Sequence, residues 1–208
     1  LFLAFLRVYG SSIDFFYEKF TTPKQYSLIL GESRAFGGIL PKVLDSCLIN
    51  SKYKKPAYNF SFTIAQIAFG PSYLSAVKRK LKTDNTNQLF IIQVSPWSLS
   101  NREPLDKLES DAGFMNTPPH NMIDMHSNPN FEYLIKNFNN FNFKGIIKKN
   151  SVLSKDGHLV NNNLPSNKAV FQDWKKDQLK VFYKWSKEWQ PSEYRINWLD
   201  NTVFYLKQ

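Results

Sequence analysis

The chain has 208 residues, a formal net charge of +10 and 42% hydrophobic residues. This length and hydrophobic content can build the core of one ordinary α/β domain, which excludes a globally disordered chain. The lysines are spread over many segments, without a concentrated basic patch or a nucleic-acid reading motif, so we expect a solvated basic surface and no nucleic-acid partner.

The amino-terminal segment, residues 1–25, has the pattern of a helix over 1–20 that ends at Thr21-Thr22-Pro23. It opens with the apolar run Leu1–Leu6, which is too short to cross a bilayer, since a span takes about 20 residues. The run is either the end of a signal or anchor helix that begins before residue 1 or the first turns of a buried helix. Residues 26–208 are interpreted as a single α/β domain that is incomplete at its carboxyl terminus.

Strands and helices alternate through the first half of that domain. Apolar runs predict strands at 27–30, 56–62 and 88–94, with helices between them at 35–46 and 71–82. This order predicts a parallel sheet with right-handed crossovers and helices on both faces. The third strand is apolar nearly throughout, as expected for a strand covered on both faces.

The second half is less regular. We expect a long irregular insertion over 97–167, with a helix at 131–138 and a hairpin turn at Ser154–Gly157 between strands at 146–153 and 158–160. Helices are then predicted at 171–189 and 192–208. The first of them carries an aromatic stripe typical of a core or packing face, formed by Phe171, Trp174, Val181, Phe182, Trp185 and Trp189. Cys47 is the only cysteine, which excludes an internal disulfide and disfavours a Cys-based metal site.

The segment Tyr26–Ala35 (YSLILGESRA) carries the main functional signal, because it puts Ser33 in a turn between a strand and a helix. In α/β folds that turn is where ligands and nucleophiles are held. A phosphate-binding loop is excluded because Ile39 follows Gly38, and the dinucleotide fingerprint fails because Ser33 replaces its second glycine. A nucleophile elbow would need glycine at Ala35. The alternative role of Ser33 is a plain helix N-cap.

The run Ser27–Pro41 (SLILGESRAFGGILP) resembles the first block of the SGNH (GDSL-like) hydrolases, in an envelope-associated branch that reads Gly-Asp/Thr-Ser-Arg-Ala. Three later segments are similar to that branch in order and spacing: Ala57–Ser61 (AYNFS), Gly70–Tyr73 (GPSY) and Ile91–Ser98 (IIQVSPWS). The resemblance covers about residues 12–100. It implies a three-layer, flavodoxin-like parallel sheet.

The resemblance also implies a serine esterase or acyltransferase that needs no metal or cofactor. Ser33 would be the nucleophile and, through its own N–H, an oxyanion donor, and Asn59 would donate to the oxyanion or support the donors. Gly31, Glu32 and Arg34 would contact the substrate, although Arg34 could equally pair with Glu32. The expected partner is an ester-bearing small molecule or an O-acylated glycan, and the expected location is the cell envelope, outside the cytoplasm.

Three departures from the family leave the catalytic base open. Glu32 stands where the family often has Asp, Val94–Trp97 (VSPW) replaces the Gly-x-Asn-Asp block, and the sequence has no Asp-x-x-His. The base is therefore His120, His126 or His158, or it lies in a carboxyl-terminal block beyond Gln208, or catalysis has been lost. The last alternative predicts a silent envelope-associated interaction module of the same fold. A basic binding domain for anionic polymer is a further alternative.

Overall fold

The protein has a mixed α/β fold whose centre is a three-stranded parallel sheet. The computed structural model describes residues 1–63, 69–82, 87–101, 127–140, 151–161 and 165–208. The strands are β1 (Ser27–Leu30), β2 (Ala57–Asn59) and β3 (Phe90–Ile92), in the order β2-β1-β3. Ile29 of β1 pairs with Asn59 on one side and Ile91 on the other. The predicted parallel sheet is confirmed.

The helices within the described ranges occur at both ends of the chain and in the connections between the strands of the sheet. They are α1 (Phe2–Ile13), α2 (Tyr17–Thr21), α3 (Ser33–Gly38), α4 (Pro41–Cys47), α5 (Pro71–Lys80), α6 (Phe131–Lys136), α7 (Lys168–Glu188) and α8 (Glu193–Leu206). Helices α3 and α4 follow β1, and α5 leads towards β3. Proline begins both α4 and α5, a position where its missing N–H costs no helical hydrogen bond.

The main core lies against the sheet and is rich in aromatic side chains. All four residues of β1 are buried, so the central strand is covered on both faces. Around it pack Phe16, Phe36, Tyr58, Phe60, Phe62, Phe69, Tyr73, Val77 and Leu81. By contrast, β3 is only half-buried, because it forms one edge of the three-stranded sheet. Phe90 and Ile92 of β3 still pack against the main core, so the expectation that both of its faces are covered stays a prediction.

The predicted single helix over 1–20 is interrupted at Asp14. This residue is extended and buried, and its carboxylate accepts hydrogen bonds from the Phe16 N–H at 2.8 Å and the Tyr133 hydroxyl at 2.6 Å. Tyr133 belongs to α6, so a contact distant in sequence ends α1. Together α1, α2 and α6 enclose a second, smaller core. None of the described helices is both long enough and apolar enough to span a membrane.

A two-stranded hairpin follows in the second half of the chain. Strands β4 (Ser151–Leu153) and β5 (Leu159–Asn161) are antiparallel, which confirms the predicted hairpin, although residues 146–150 of the first predicted strand lie outside the described residues. The turn lies against the edge strand β2, where the Asn59 N–H donates to the Asp156 carbonyl at 2.8 Å. Gly157 (φ +85°) permits this approach, since a Cβ there would lie 2.3 Å from the Asn59 carbonyl oxygen.

The long helix α7 differs from the expectation of a core helix. None of its residues is buried, and several large apolar side chains are exposed, Tyr183 at 65% and Leu179 at 56%. Its carboxyl-terminal part contacts the domain, where Trp185 stacks on Trp97 with ring centroids 4.9 Å apart and an angle of 13° between the planes. The aromatic stripe thus serves as a packing face at one end only.

Candidate functional site

Ser33 is the first residue of α3, and two residues, Gly31 and Glu32, separate it from the carboxyl end of β1. Its side chain is exposed and lines a cavity of about 390 Å³. The first α3 hydrogen bond runs from the Phe36 N–H to the Glu32 carbonyl at 2.9 Å, so the N–H groups of residues 33–35 precede it and are not used within the helix. The structure thus has a hydroxyl beside helix-end N–H groups at the end of a central strand.

The turn before Ser33 is held by three hydrogen bonds from neighbouring elements. The Gly31 N–H donates to the Tyr73 hydroxyl at 3.1 Å, and that hydroxyl donates to the Phe60 carbonyl at 3.1 Å. The Glu32 N–H donates to Oε1 of Gln93 at 3.1 Å. Burial raises the pKa of the Tyr73 hydroxyl, partly offset by the Gly31 N–H, so it stays protonated as this double role requires. Nothing in the sequence predicted that Tyr73 and Gln93 support this turn.

Replacing Tyr73 with Phe is expected to lower the free energy of unfolding by about 1–2 kcal/mol, because the buried Gly31 N–H and Phe60 carbonyl both lose a partner. Urea denaturation followed by fluorescence measures the change. Tyr183→Phe on the exposed side of α7 is the matched control and should leave stability unchanged. Equal stability of the two variants would contradict the role assigned to the Tyr73 hydroxyl.

Asn59 lies at the end of β2, and its side chain hydrogen-bonds to the backbone of α3 and of the residue that follows it. Its amide nitrogen donates to the Ala35 carbonyl at 2.8 Å and to the Ile39 carbonyl at 2.9 Å, and its oxygen accepts from the Ser61 N–H at 3.1 Å. Both amide hydrogens are thus used by the backbone of the Ser33 helix and its continuation. In this arrangement Asn59 orients α3, and direct donation to an oxyanion would require it to give up one of these bonds.

The residues on either side of Ser33 have different environments. Glu32 is buried, at 2% exposure, and its Oε2 has no hydrogen-bond partner within the described part of the chain. Arg34 is exposed, and its guanidinium lies 5.4 Å from the centre of the Phe182 ring. The Arg34–Glu32 ion pair considered from the sequence is not among the pairs that the described residues form. Arg34 is therefore oriented by an aromatic ring.

The far wall of the cavity is supplied by α7 and by the turn after β3. Its aromatic members are Trp97, Phe182, Trp185 and Trp189, and its polar members are Ser95, Gln178 and Ser186. The Trp189 indole N–H donates to the Pro96 carbonyl, which ties the end of α7 to that turn. The stripe on α7 and the Val94–Trp97 replacement were both visible in the sequence, but nothing in the sequence predicted that they meet opposite Ser33.

His158 belongs to the hairpin turn. Its Nδ1 lies 2.7 Å from both Ser154 Oγ and Asp156 Oδ1, and Ser154 also hydrogen-bonds Asp156. Burial raises the pKa of Asp156, but the hydrogen bonds from Ser154 and His158 outweigh it, so the net shift is downward. A catalytic triad uses opposite ring nitrogens for serine and aspartate, whereas here both approach Nδ1. The cluster is a turn-stabilising arrangement.

His158 does not line the Ser33 cavity, and it is the only histidine that the described ranges contain. His120 and His126 lie outside the described residues. Within the described ranges, no three His, Cys, Asp or Glu side chains lie close enough together to hold a metal ion.

Comparisons with protein-family models, with curated proteins and with solved structures find no match to this chain.

Proposed function

We propose that the protein is an SGNH-like serine esterase or acyltransferase that acts on an ester, with O-acyl groups of envelope glycans as the substrate class. The observation that carries the proposal is an exposed Ser33 hydroxyl at the strand-to-helix turn after β1, opening onto a cavity of about 390 Å³. In parallel α/β sheets this edge is where ligands bind. The strand order β2-β1-β3 is also that of the first three strands in a flavodoxin-like sheet.

The chemistry assigned to Ser33 is acyl transfer in two steps. Its Oγ attacks the ester carbonyl carbon and passes its proton to a base, and the C–O bond to the leaving alcohol breaks as that alcohol takes up a proton. The acyl group on Ser33 then moves to water or to an acceptor hydroxyl. The N–H groups at the start of α3 would stabilise the oxyanion in both steps. His120, His126 and a carboxyl-terminal block remain the candidates for the base.

A fluorophosphonate probe tests this proposal, because it reacts covalently with activated serines. The complete protein is expected to be labelled, and Ser33→Ala is expected to lose labelling entirely, as seen by intact mass. Ser186→Ala is the matched control, since Ser186 lines the same cavity and its hydroxyl donates to the Tyr183 carbonyl. Labelling of Ser33→Ala at the wild-type level would overturn the assignment of the nucleophile.

The second candidate is a catalytically silent interaction module of the same fold. The observation in its favour is that no histidine of the described ranges lines the cavity. It predicts that the folded, full-length wild-type protein is labelled no more than the Ser33→Ala variant at every probe concentration.

A further inference from the structure

The buried carboxylate of Glu32 is the least satisfied polar group of the cavity. It is 2% exposed, it lines the cavity beside Ser33, and its Oε2 has no hydrogen-bond partner within the described residues. Leaving a buried carboxylate oxygen without a partner is costly, and native proteins rarely do so without a functional reason. A ligand that brings a positive charge or a hydrogen-bond donor would remove this cost.

The wall that faces Glu32 consists largely of aromatic rings. Three of the protein's five tryptophans line the cavity, together with Phe182. The face of an aromatic ring carries a partial negative charge and attracts cations, and tryptophan does so most strongly. Phe182 already has a cation against it, the guanidinium of Arg34 at 5.4 Å, so this wall accepts a positive charge in the protein itself.

These two features select among ligand classes. Arg34 also lines the cavity, but its guanidinium already lies against the Phe182 ring, and an anion drawn to it would be repelled by Glu32 and by the ring faces. A neutral apolar group would leave Glu32 without a partner. A primary ammonium is strongly hydrated and would lose most of its water for a single carboxylate. An alkylated ammonium would lose less hydration and would be attracted both by the charge of Glu32 and by the aromatic faces, so it matches the cavity best.

We propose that the cavity beside Ser33 binds an alkylated ammonium group between the Glu32 carboxylate and the tryptophan faces of α7 and the turn after β3. This inference deepens the proposed function and rests on it for the reacting ester, which would then carry a quaternary ammonium group. The binding site itself does not depend on the reactivity of Ser33.

Choline and 3,3-dimethyl-1-butanol are a suitable probe pair, since they share one shape and differ in the charge on the central atom. Tryptophan fluorescence reports their binding, because Trp97, Trp185 and Trp189 line the cavity. We expect choline to bind at least about tenfold more tightly than the neutral compound, in sodium chloride of matched ionic strength. Equal binding of the two compounds, or no binding of choline, would overturn the proposal.

Glu32→Gln removes the charge and keeps the shape of the side chain. It is expected to weaken choline binding roughly tenfold or more and to leave 3,3-dimethyl-1-butanol unaffected. Glu188→Gln is the matched control, because Glu188 lies exposed near the end of α7 and does not line the cavity. Circular dichroism melting confirms that each variant is folded. Wild-type choline affinity in folded Glu32→Gln would contradict the site.

Fluorophosphonate labelling and the choline titration, both made on the wild-type protein, separate this inference from the proposed function. Choline binding by a wild-type protein that the fluorophosphonate does not label would support the ammonium site and refute the esterase. Labelling of Ser33 without any preference for choline would refute the ammonium site and leave the esterase intact.

Discussion

Replacing Gly31 with Ala is expected to lower the free energy of unfolding by about 2–5 kcal/mol. Gly31 has φ +139°, a backbone conformation that costs other residues about 1–2 kcal/mol. A Cβ there would also lie 2.8 Å from the backbone oxygen of Gln93 and 2.9 Å from its Cβ. Relieving such overlap in a packed site costs a further 1–3 kcal/mol or so. Urea denaturation of the two proteins measures the difference.

The position of Gly31 gives the variant a second expected effect. Its carbonyl accepts from the Phe62 N–H at 3.1 Å, and the following Glu32 N–H donates to Gln93, so a shift to relieve the overlap would move the start of α3. If Ser33 is the nucleophile, labelling by the fluorophosphonate should fall at temperatures where Gly31→Ala is still folded.

Gly38→Ala is the matched control for this experiment. Gly38 lies at the end of α3, the helix that follows Gly31, but it has no positive φ and a Cβ there would meet nothing within 4 Å. We expect it to be neutral or to stabilise the protein by about 0.5 kcal/mol through the unfolded state. A Gly31→Ala protein as stable as Gly38→Ala would mean that the tight turn before Ser33 is not required.

The sequence predicted those parts of the fold whose signals are local. Strand β1 is a short apolar run that ends in glycine, and its bounds agree with the prediction. Helix α5 begins at Pro71 after Gly70, and the β4–β5 turn contains Asp156-Gly157. In each case the residues that decide the conformation lie within the element or beside it.

The features that escaped prediction depend on contacts between distant residues. The break at Asp14 is stabilised by the Tyr133 hydroxyl, 119 positions further along the chain. Lys19 is fully buried, and its ammonium donates to the Asn59 carbonyl, 40 positions further along the chain.

The candidate site could be predicted only in part, for the same reason. Its serine follows from the local Gly-Glu-Ser pattern. Its far wall depends on the stacking of Trp97 on Trp185, two residues that lie 88 positions apart in the sequence (185 − 97). Likewise, the absence of a hydrogen-bond partner for Glu32 Oε2 among the described residues depends on which residues surround it in space, and the neighbouring sequence does not predict it.

Two buried lysines are expected to make the protein more stable as the pH rises above neutrality. Lys80 is 4% exposed, and its ammonium donates to the Thr22 carbonyl at 2.9 Å and to the Thr22 hydroxyl at 2.5 Å. Burial lowers its pKa from 10.5 to about 7. Lys19 donates to the Asn59 and Ser61 carbonyls, and burial, followed by the charge of Lys80, lowers its pKa well below 10.5.

The direction of the effect follows from proton binding. Above pH 7 the native Lys80 begins to lose its proton, whereas in the unfolded chain the lysine keeps it until about pH 10.4. The unfolded state therefore binds more protons over this window, and raising the pH favours the native state. The gain approaches about 1.4 kcal/mol per pH unit, which amounts to roughly 2 kcal/mol between pH 7 and pH 9. Lys19 contributes in the same direction.

Lys80→Met isolates this contribution, because it keeps the length of the side chain and removes the titration. Urea denaturation at pH 7, 8 and 9 should give a free energy of unfolding that rises about 2 kcal/mol less in Lys80→Met than in the wild type. Lys24→Met, at an exposed position, controls for the loss of one positive charge from a protein of net charge +10 and should keep the wild-type slope. The slope is the decisive quantity, since the variant also leaves Thr22 without its donor and so lowers stability at every pH. Equal slopes in Lys80→Met and the wild type would show that Lys80 keeps an ordinary pKa in the folded protein.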